Sequence, residues 1–298
     1  MKKTKHELPD RIAKDLAANH AVSQPTATRF LHAVNPGDLI ACMGAIKKYH
    51  EVTGRKAIVS QSLTHPGQYY PGAIHPTVNE LGENVCCNLP MWNMLKPLIE
   101  HQPYIHSFEK YEGQKIDIDF NVIRGKTNVN LPLGAIQGWI PLAFPDLEFD
   151  ISKPWMEVRG KCPKHIEKQV KGKIILNFTE RYRNPLIDYF FLKNYVPDLI
   201  FAGTEREHWL FCNKWQLTIP RLEVKDFLEL GYAIRDCRFI LGNQSMCINI
   251  AYAFGKPRIT EICTYAQNVI HMIGEHCYGF LYQTGVEYYF RKLFGMFK

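Results

Sequence analysis

The chain has 298 residues, of which 46% are hydrophobic, 12% aromatic and 22% charged, a composition that fills ordinary cores and excludes a disordered chain. At about 150 residues per domain, that length favours two domains. Formal net charge is +7 with 12 histidines besides, which favours an anionic ligand or substrate; no Lys/Arg block of five or six occurs, so a nucleic-acid partner is open but not indicated.

No window reaches the roughly 18 apolar residues of a membrane span. The start, MKKTKHELPDRIAKDL, lacks the apolar core of a signal peptide. The expectation is a cytoplasmic protein whose contact with a membrane is at most peripheral. The cysteines, Cys42, Cys86, Cys87, Cys162, Cys212, Cys237, Cys247, Cys263 and Cys277, include no CxxC pair. An odd, unclustered set reads as reduced thiols rather than disulfides or a zinc site.

Residues 1–25 are mixed and polar and read as a short helix or loose arm. RFLHAV is a strand, NPGD a turn, and LIACMGAIKKYHEVTG a helix with Leu39, Ile40, Met43, Ile46 and Tyr49 near helical spacing and Gly54 as C-cap. KAIVSQ returns as a strand, so the unit is a parallel pair with a right-handed crossover. Residues 66–90 read as loops. MWNMLKPLIEHQPYI gives a helix then a strand, and KIDIDFNVI another strand. Residues 128–145 show no clear period, and FDISKPWMEV closes the first half. The basic RGKCPKHIEKQVKG reads as an exposed hinge near Lys161, dividing the chain into residues 1–160 and 161–298.

The second half is more regular. Strand KIILNF, polar TERYRN, helix PLIDYFFLKNY, strand DLIFAG, helix TEREHWLFCNKW, a short strand near LTIP, helix VKDFLELGYAIRDC and strand RFIL follow in order. Next come Gly242, Asn243, Gln244 and Ser245, an apolar helix, the turn Gly255-Lys256-Pro257, and a strand that ends at Glu261. The tail VEYYFRKLF reads as a final helix packed on the body and crossing back toward the first half. Alternating strands and helices predict an α/β doubly wound fold. No internal repeat stands out.

In such sheets ligands sit outside the carboxyl ends of the strands, where helix N-termini present unpaired N–H groups. Gly242 permits close backbone approach, Ser245 can cap the helix or meet a phosphate, and the next N–H groups face an anion. A strand-to-helix turn with a serine N-cap also needs no ligand.

The ordered set NPGDLIACMGAIKKYHEVTGRKAIVSQ, FAGTERE and FLELGYAIRDCRFILGNQSMCINIAYAFGKPRI resembles glycosyltransferase family nine, the ADP-heptose:lipopolysaccharide heptosyltransferases and their relatives. The resemblance implies a GT-B architecture, two Rossmann-like doubly wound domains facing across a cleft. The first domain takes the acceptor and the second the donor nucleotide. It implies metal-independent, inverting transfer with no cofactor beyond the nucleotide-diphosphate sugar, onto a glycan or other anionic acceptor. A D-x-D occurs at Asp117 to Asp119, within an alternating strand, and reads as structural. Gln244 stands where these enzymes usually carry an acidic residue, so the implied donor is a nucleotide sugar rather than heptose in particular.

Asp38 matches the Gly-Asp of the family, where the aspartate is the general base; at a helix start it can also serve the dipole alone. Arg181 and Arg183, directly after a strand, suit a donor diphosphate, with Thr179 adding a hydroxyl. Thr204 and Glu205 occupy the next such loop, where an N-cap with an acidic first turn is the competing reading. Glu261, at a strand end, could accept from ribose hydroxyls. His65 and His75 are loop candidates for the acceptor. Two other readings share the fold: a sugar-nucleotide epimerase or hydrolase, and a non-catalytic binding protein.

Overall fold

A computed structural model describes residues 27–67, 77–123, 136–265 and 273–297. The N-terminal arm and His75 lie outside them. In the first half the chain forms β1 (Ala27–His32), α1 (Pro36–Thr53), β2 (Lys56–Gln61), α2 (Leu89–Glu100), β3 (Ile105–Lys110), β4 (Ile118–Asp119) and α3 (Ile136–Ala143). The strands lie parallel in the order β3-β2-β1-β4. Chain order runs one way from β1 through β2 to β3 and then jumps to the other side, so the crevice between β1 and β4 is a topological switch point.

Helix α1 begins with Pro36 at its first turn and stops at Gly54, whose left-handed φ of 71° lets its N–H reach the His50 carbonyl at 2.8 Å. Its buried residues run all round the barrel, from Leu39 through Ala41, Cys42, Met43 and Ala45 to Tyr49. A helix apolar on every side belongs at the centre of a molecule.

The second half forms α4 (Lys164–Val170), β5 (Ile174–Asn177), a 3-10 segment (Phe190–Asp198), β6 (Leu199–Phe201), α5 (Glu205–Trp215), α6 (Phe227–Asp236) and β7 (Ile240–Asn243). It continues with α7 (Met246–Ala253), β8 (Arg258–Glu261), β9 (Cys277–Phe280) and α8 (Gln283–Met296). These strands are also parallel, in the order β6-β5-β7-β8-β9, with a switch point between β5 and β7. Strands β5, β6, β7 and β8 are buried at every residue, as a sheet covered on both faces requires.

One apolar cluster joins the halves. It runs from Phe30, Ile40 and Met43 through Leu98 to Ile234, Ile248 and Ala251, with α1 on α7 and α2 on α6. The connecting chain threads through it. Trp155 donates its indole N–H to the Ile40 carbonyl of α1 at 2.9 Å and its backbone N–H to Ala253 of α7 at 2.9 Å. Its carbonyl accepts from the buried Tyr104 hydroxyl at 2.8 Å, and its ring meets Tyr252 edge-on at 4.9 Å. A second cluster, with Leu176, Phe201, Phe239 and Ile259, covers the far face of the second sheet.

Several expectations differ from the structure. The basic stretch after Val158 is not wholly an exposed hinge: Ile166 and Val170 of α4 are fully buried. PLIDYFFLKNY forms turns and a 3-10 segment rather than an α-helix, because its aromatic residues face several neighbours instead of one stripe. LTIP forms no strand, and the chain there makes only a single bridge, Phe201 to Arg221. Among the described residues, helix α8 packs its buried Val286, Phe290 and Leu293 into the far-face cluster of the second sheet rather than on the first half. Helix α3, in the aperiodic stretch, was not expected. All nine cysteines are free thiols. Among the described residues no helix is long and apolar enough to cross a membrane.

Candidate functional site

At the second switch point the backbones of β5 and β7 approach so closely that a Cβ on Gly242 would stand 2.4 Å from the Asn177 carbonyl oxygen. Glycine is therefore required by the neighbouring strand. The buried Asn177 side chain fastens three strand ends: it donates to the Ala202 carbonyl past β6 at 2.6 Å and accepts from the Ser245 hydroxyl at 2.5 Å. Ser245 caps α7, accepting from the Ile248 N–H at 3.3 Å. Asn177 was not singled out in the sequence; its one signal there is a polar residue closing an apolar strand.

The loop 179–189 leaves β5 and crosses over the carboxyl ends of β7, β8 and β9. Asn243, fully buried, accepts from the Thr179 N–H at 3.0 Å and donates to the carbonyls of Thr179, Arg181 and Tyr182. Both ends of its amide are occupied by this loop, and Tyr182 turns there with a left-handed φ of 52°. Further on, Asn184 donates to the Leu281 carbonyl at 2.9 Å, and the Asp188 N–H to Gln283 at 3.0 Å. Gln244, also buried, accepts from the Cys263 N–H at 2.6 Å, which ties the end of β7 to the chain beyond β8.

Glu261 departs most from expectation. Its carboxylate is fully buried and accepts from Arg183 Nε at 3.1 Å, from the Asn184 N–H at 2.5 Å and from the Tyr189 hydroxyl. With three donors on it and no solvent access, it faces loop 179–189 rather than an open ribose site. Burial first, and the Glu261 charge second, push the Tyr189 phenol well above its ordinary pKa, so it remains a donor. Arg183 lies over the Phe178 ring at 4.9 Å, and its side chain is 27% exposed. Arg181 lies over Tyr182 at 5.2 Å.

Thr204 is exposed and closes a capping box with Glu207: its hydroxyl accepts from the Glu207 N–H at 3.2 Å, and the Glu207 carboxylate accepts from the Thr204 N–H at 2.9 Å. The competing reading of that loop, a helix cap, is the geometry present. Glu205, in the first turn of the same helix, pairs with Arg221 at 3.5 Å.

At the first switch point, Asp38 sits in the opening turn of α1, 7% exposed, its N–H on the Asn35 carbonyl at 2.9 Å. The helix cap position belongs to Asn35, whose side chain makes no capping bond. The loop before it is held by Asn121, which accepts from the Ala33 N–H at 2.9 Å, and by buried His32, bonded through Nδ1 to Gln61 at 2.8 Å. Next to Asp38, a Cβ on Gly37 would lie 2.8 Å from the Asn249 amide nitrogen and 3.9 Å from Met246 Cα. The first turns of α1 and α7 therefore touch, and the two switch points meet there. Asn249, unmarked by the sequence reading, is the side chain at that contact. His65 is exposed in the loop after β2, its carbonyl bonded to the Cys86 N–H at 3.0 Å. Among the described residues no group of three or more His, Cys, Asp or Glu stands together as metal ligands would.

Two solved structures share this arrangement. The family 9 glycosyltransferase of Veillonella parvula DSM 2008 superposes with a TM-score of 0.52 at 10% identity, covering 92% of this chain and 90% of that one. ADP-heptose LPS heptosyltransferase II of E. coli gives a TM-score of 0.51 at 13% identity, covering 90% of this chain and 99% of its own. The chain shares their fold. No protein-family model and no curated protein matches it. The two doubly wound sheets are thus the GT-B arrangement that the motifs implied, and identities this low speak for fold while chemistry rests on this chain's own residues.

Proposed function

We propose that the protein is a metal-independent, inverting glycosyltransferase that moves a sugar from a nucleoside-diphosphate donor to a hydroxyl of a glycan or other anionic acceptor. The observation that supports this best is the contact of α1 and α7 at their first turns, which sets Asp38 of one switch point beside the Ser245 turn of the other. The donor would lie on residues 161–298 and the acceptor on residues 1–160.

In this reading Asp38 takes the proton of the acceptor hydroxyl as its oxygen attacks the anomeric carbon. The bond from that carbon to the diphosphate oxygen breaks, and the electron pair leaves with the nucleoside diphosphate. Arg183, Arg181 and the N–H groups opening α7 carry positive potential toward that leaving charge. In a single displacement of this kind the acceptor oxygen enters opposite the departing phosphate and the anomeric centre inverts; a base and a leaving-group site on opposite halves are compatible with that approach.

The test is a thermal-shift panel of nucleoside diphosphates, followed by incubation of any stabilising one, as its sugar conjugate, with glycan acceptors. A ligand at a hundred times its Kd stabilises by about 2.7 kcal/mol, readily seen as a melting shift. A glycosylated acceptor of inverted configuration is expected. No shift with any diphosphate would overturn the reading, and free or epimerised sugar without acceptor would replace transfer by hydrolysis or epimerisation.

A further inference from the structure

We propose that Glu261, with Tyr189, is a positioning residue that fixes the Arg183 guanidinium as a two-pronged diphosphate clamp; this rests on the nucleotide-donor reading above. The geometry is specific. Glu261 engages Arg183 through Nε alone, at 3.1 Å. Phe178 supports the guanidinium plane from one face at 4.9 Å, and the Tyr189 ring lies 5.9 Å away. No described side chain or carbonyl takes a hydrogen bond from the two terminal nitrogens of Arg183, and the side chain is 27% exposed.

An arginine held at Nε and backed by aromatic rings presents its terminal N–H groups as a fixed fork, the geometry that phosphate oxygens accept in pairs. Fixing the fork before the ligand arrives lowers the ordering cost of binding. The carboxylate is itself immobile. It ends β8, is fully buried, and also accepts from the Asn184 N–H and the Tyr189 hydroxyl, so loop 179–189 and the guanidinium are set by one group.

Positioning and plain electrostatics predict opposite signs. Glu261→Gln removes a negative charge beside the phosphate site, which by charge alone would tighten a diphosphate. It also replaces one of the two carboxylate oxygens by an NH2 that cannot accept, so Arg183 Nε, the Asn184 N–H and the Tyr189 hydroxyl no longer share a full set of acceptors, which loosens the grip on Arg183.

Isothermal titration of UDP and ADP into the full chain decides. Arg183→Ala is expected to weaken whichever diphosphate binds by on the order of tenfold to a hundredfold, the scale of a charge-assisted hydrogen-bond pair. Arg183→Lys, which keeps the charge but cannot offer the fork, should lose most of the same. Glu261→Gln should weaken binding several-fold, and adding it to Arg183→Ala should cost nothing further, because it acts through that side chain. Should Glu261→Gln fail to fold, Tyr189→Phe removes one donor to the carboxylate without changing charge and should still weaken binding measurably in the Arg183 background and not in Arg183→Ala. Tighter or unchanged binding by Glu261→Gln, or losses that add in the double variant, would overturn the assignment. Wild-type protein that binds neither diphosphate would instead remove the donor reading beneath it, and this proposal with it.

Discussion

Asp38 is the residue at which catalysis and binding come apart. Asp38→Asn keeps shape and a similar preference for a helix start, so the fold should stand. If the carboxylate is the base, turnover should fall by a factor on the order of a hundred to ten thousand, while nucleoside-diphosphate affinity, carried by the other half, is retained. Rate and affinity measured on one preparation make the comparison; near-normal transfer would send the search for a base elsewhere in the first half. The place of Asp38 in the first turn of an apolar helix was legible because a Pro-Gly-Asp run follows a strand after a short turn, while its role as base comes from the family resemblance alone. Glu261 was legible only as a strand end. Its partners Arg183, Asn184 and Tyr189 lie more than seventy residues back, and local periodicity carries no sign of such a pairing.

Among the elements, the segment around Trp155 decides how the two halves behave. Its backbone belongs to neither a helix nor a strand; its stability comes from bonds to α1 and α7 and from ring packing on Phe149 and Tyr252. Removing the ring by Trp155→Ala should cost about 3–5 kcal/mol. Trp155→Phe keeps most of the ring and loses one buried hydrogen bond, about 1 kcal/mol. Denaturant titration followed by far-UV circular dichroism gives both. The shared apolar cluster further predicts one cooperative transition, and separate melting of the two halves would contradict it. The sequence offers no pattern for this segment, since neither a 2 nor a 3.6 period is needed where the partners are two helices and a loop. Helix α3 was hidden for a different reason: Gly138 and Pro141 interrupt a run of only eight residues.

At the scale of the whole molecule, the second half was easiest to read. IILN and ILGN are apolar runs closed by an asparagine and LIF is one closed by Ala-Gly, as suits strands covered on both faces, and Thr204 and Ser245 announce the helices that follow. The meeting of the two switch points was not readable, because it depends on Gly37 packing against Asn249, a contact more than two hundred residues apart in the chain. That meeting is the central claim about function. Backbone hydrogen exchange, measured by mass spectrometry with and without a saturating nucleoside diphosphate, tests it most directly. Protection is predicted in loop 179–184 and in the turn and helix start at 243–249, extending to 36–38 where α1 touches α7; protection confined to any other surface, or none in these segments when the ligand binds, would contradict the account.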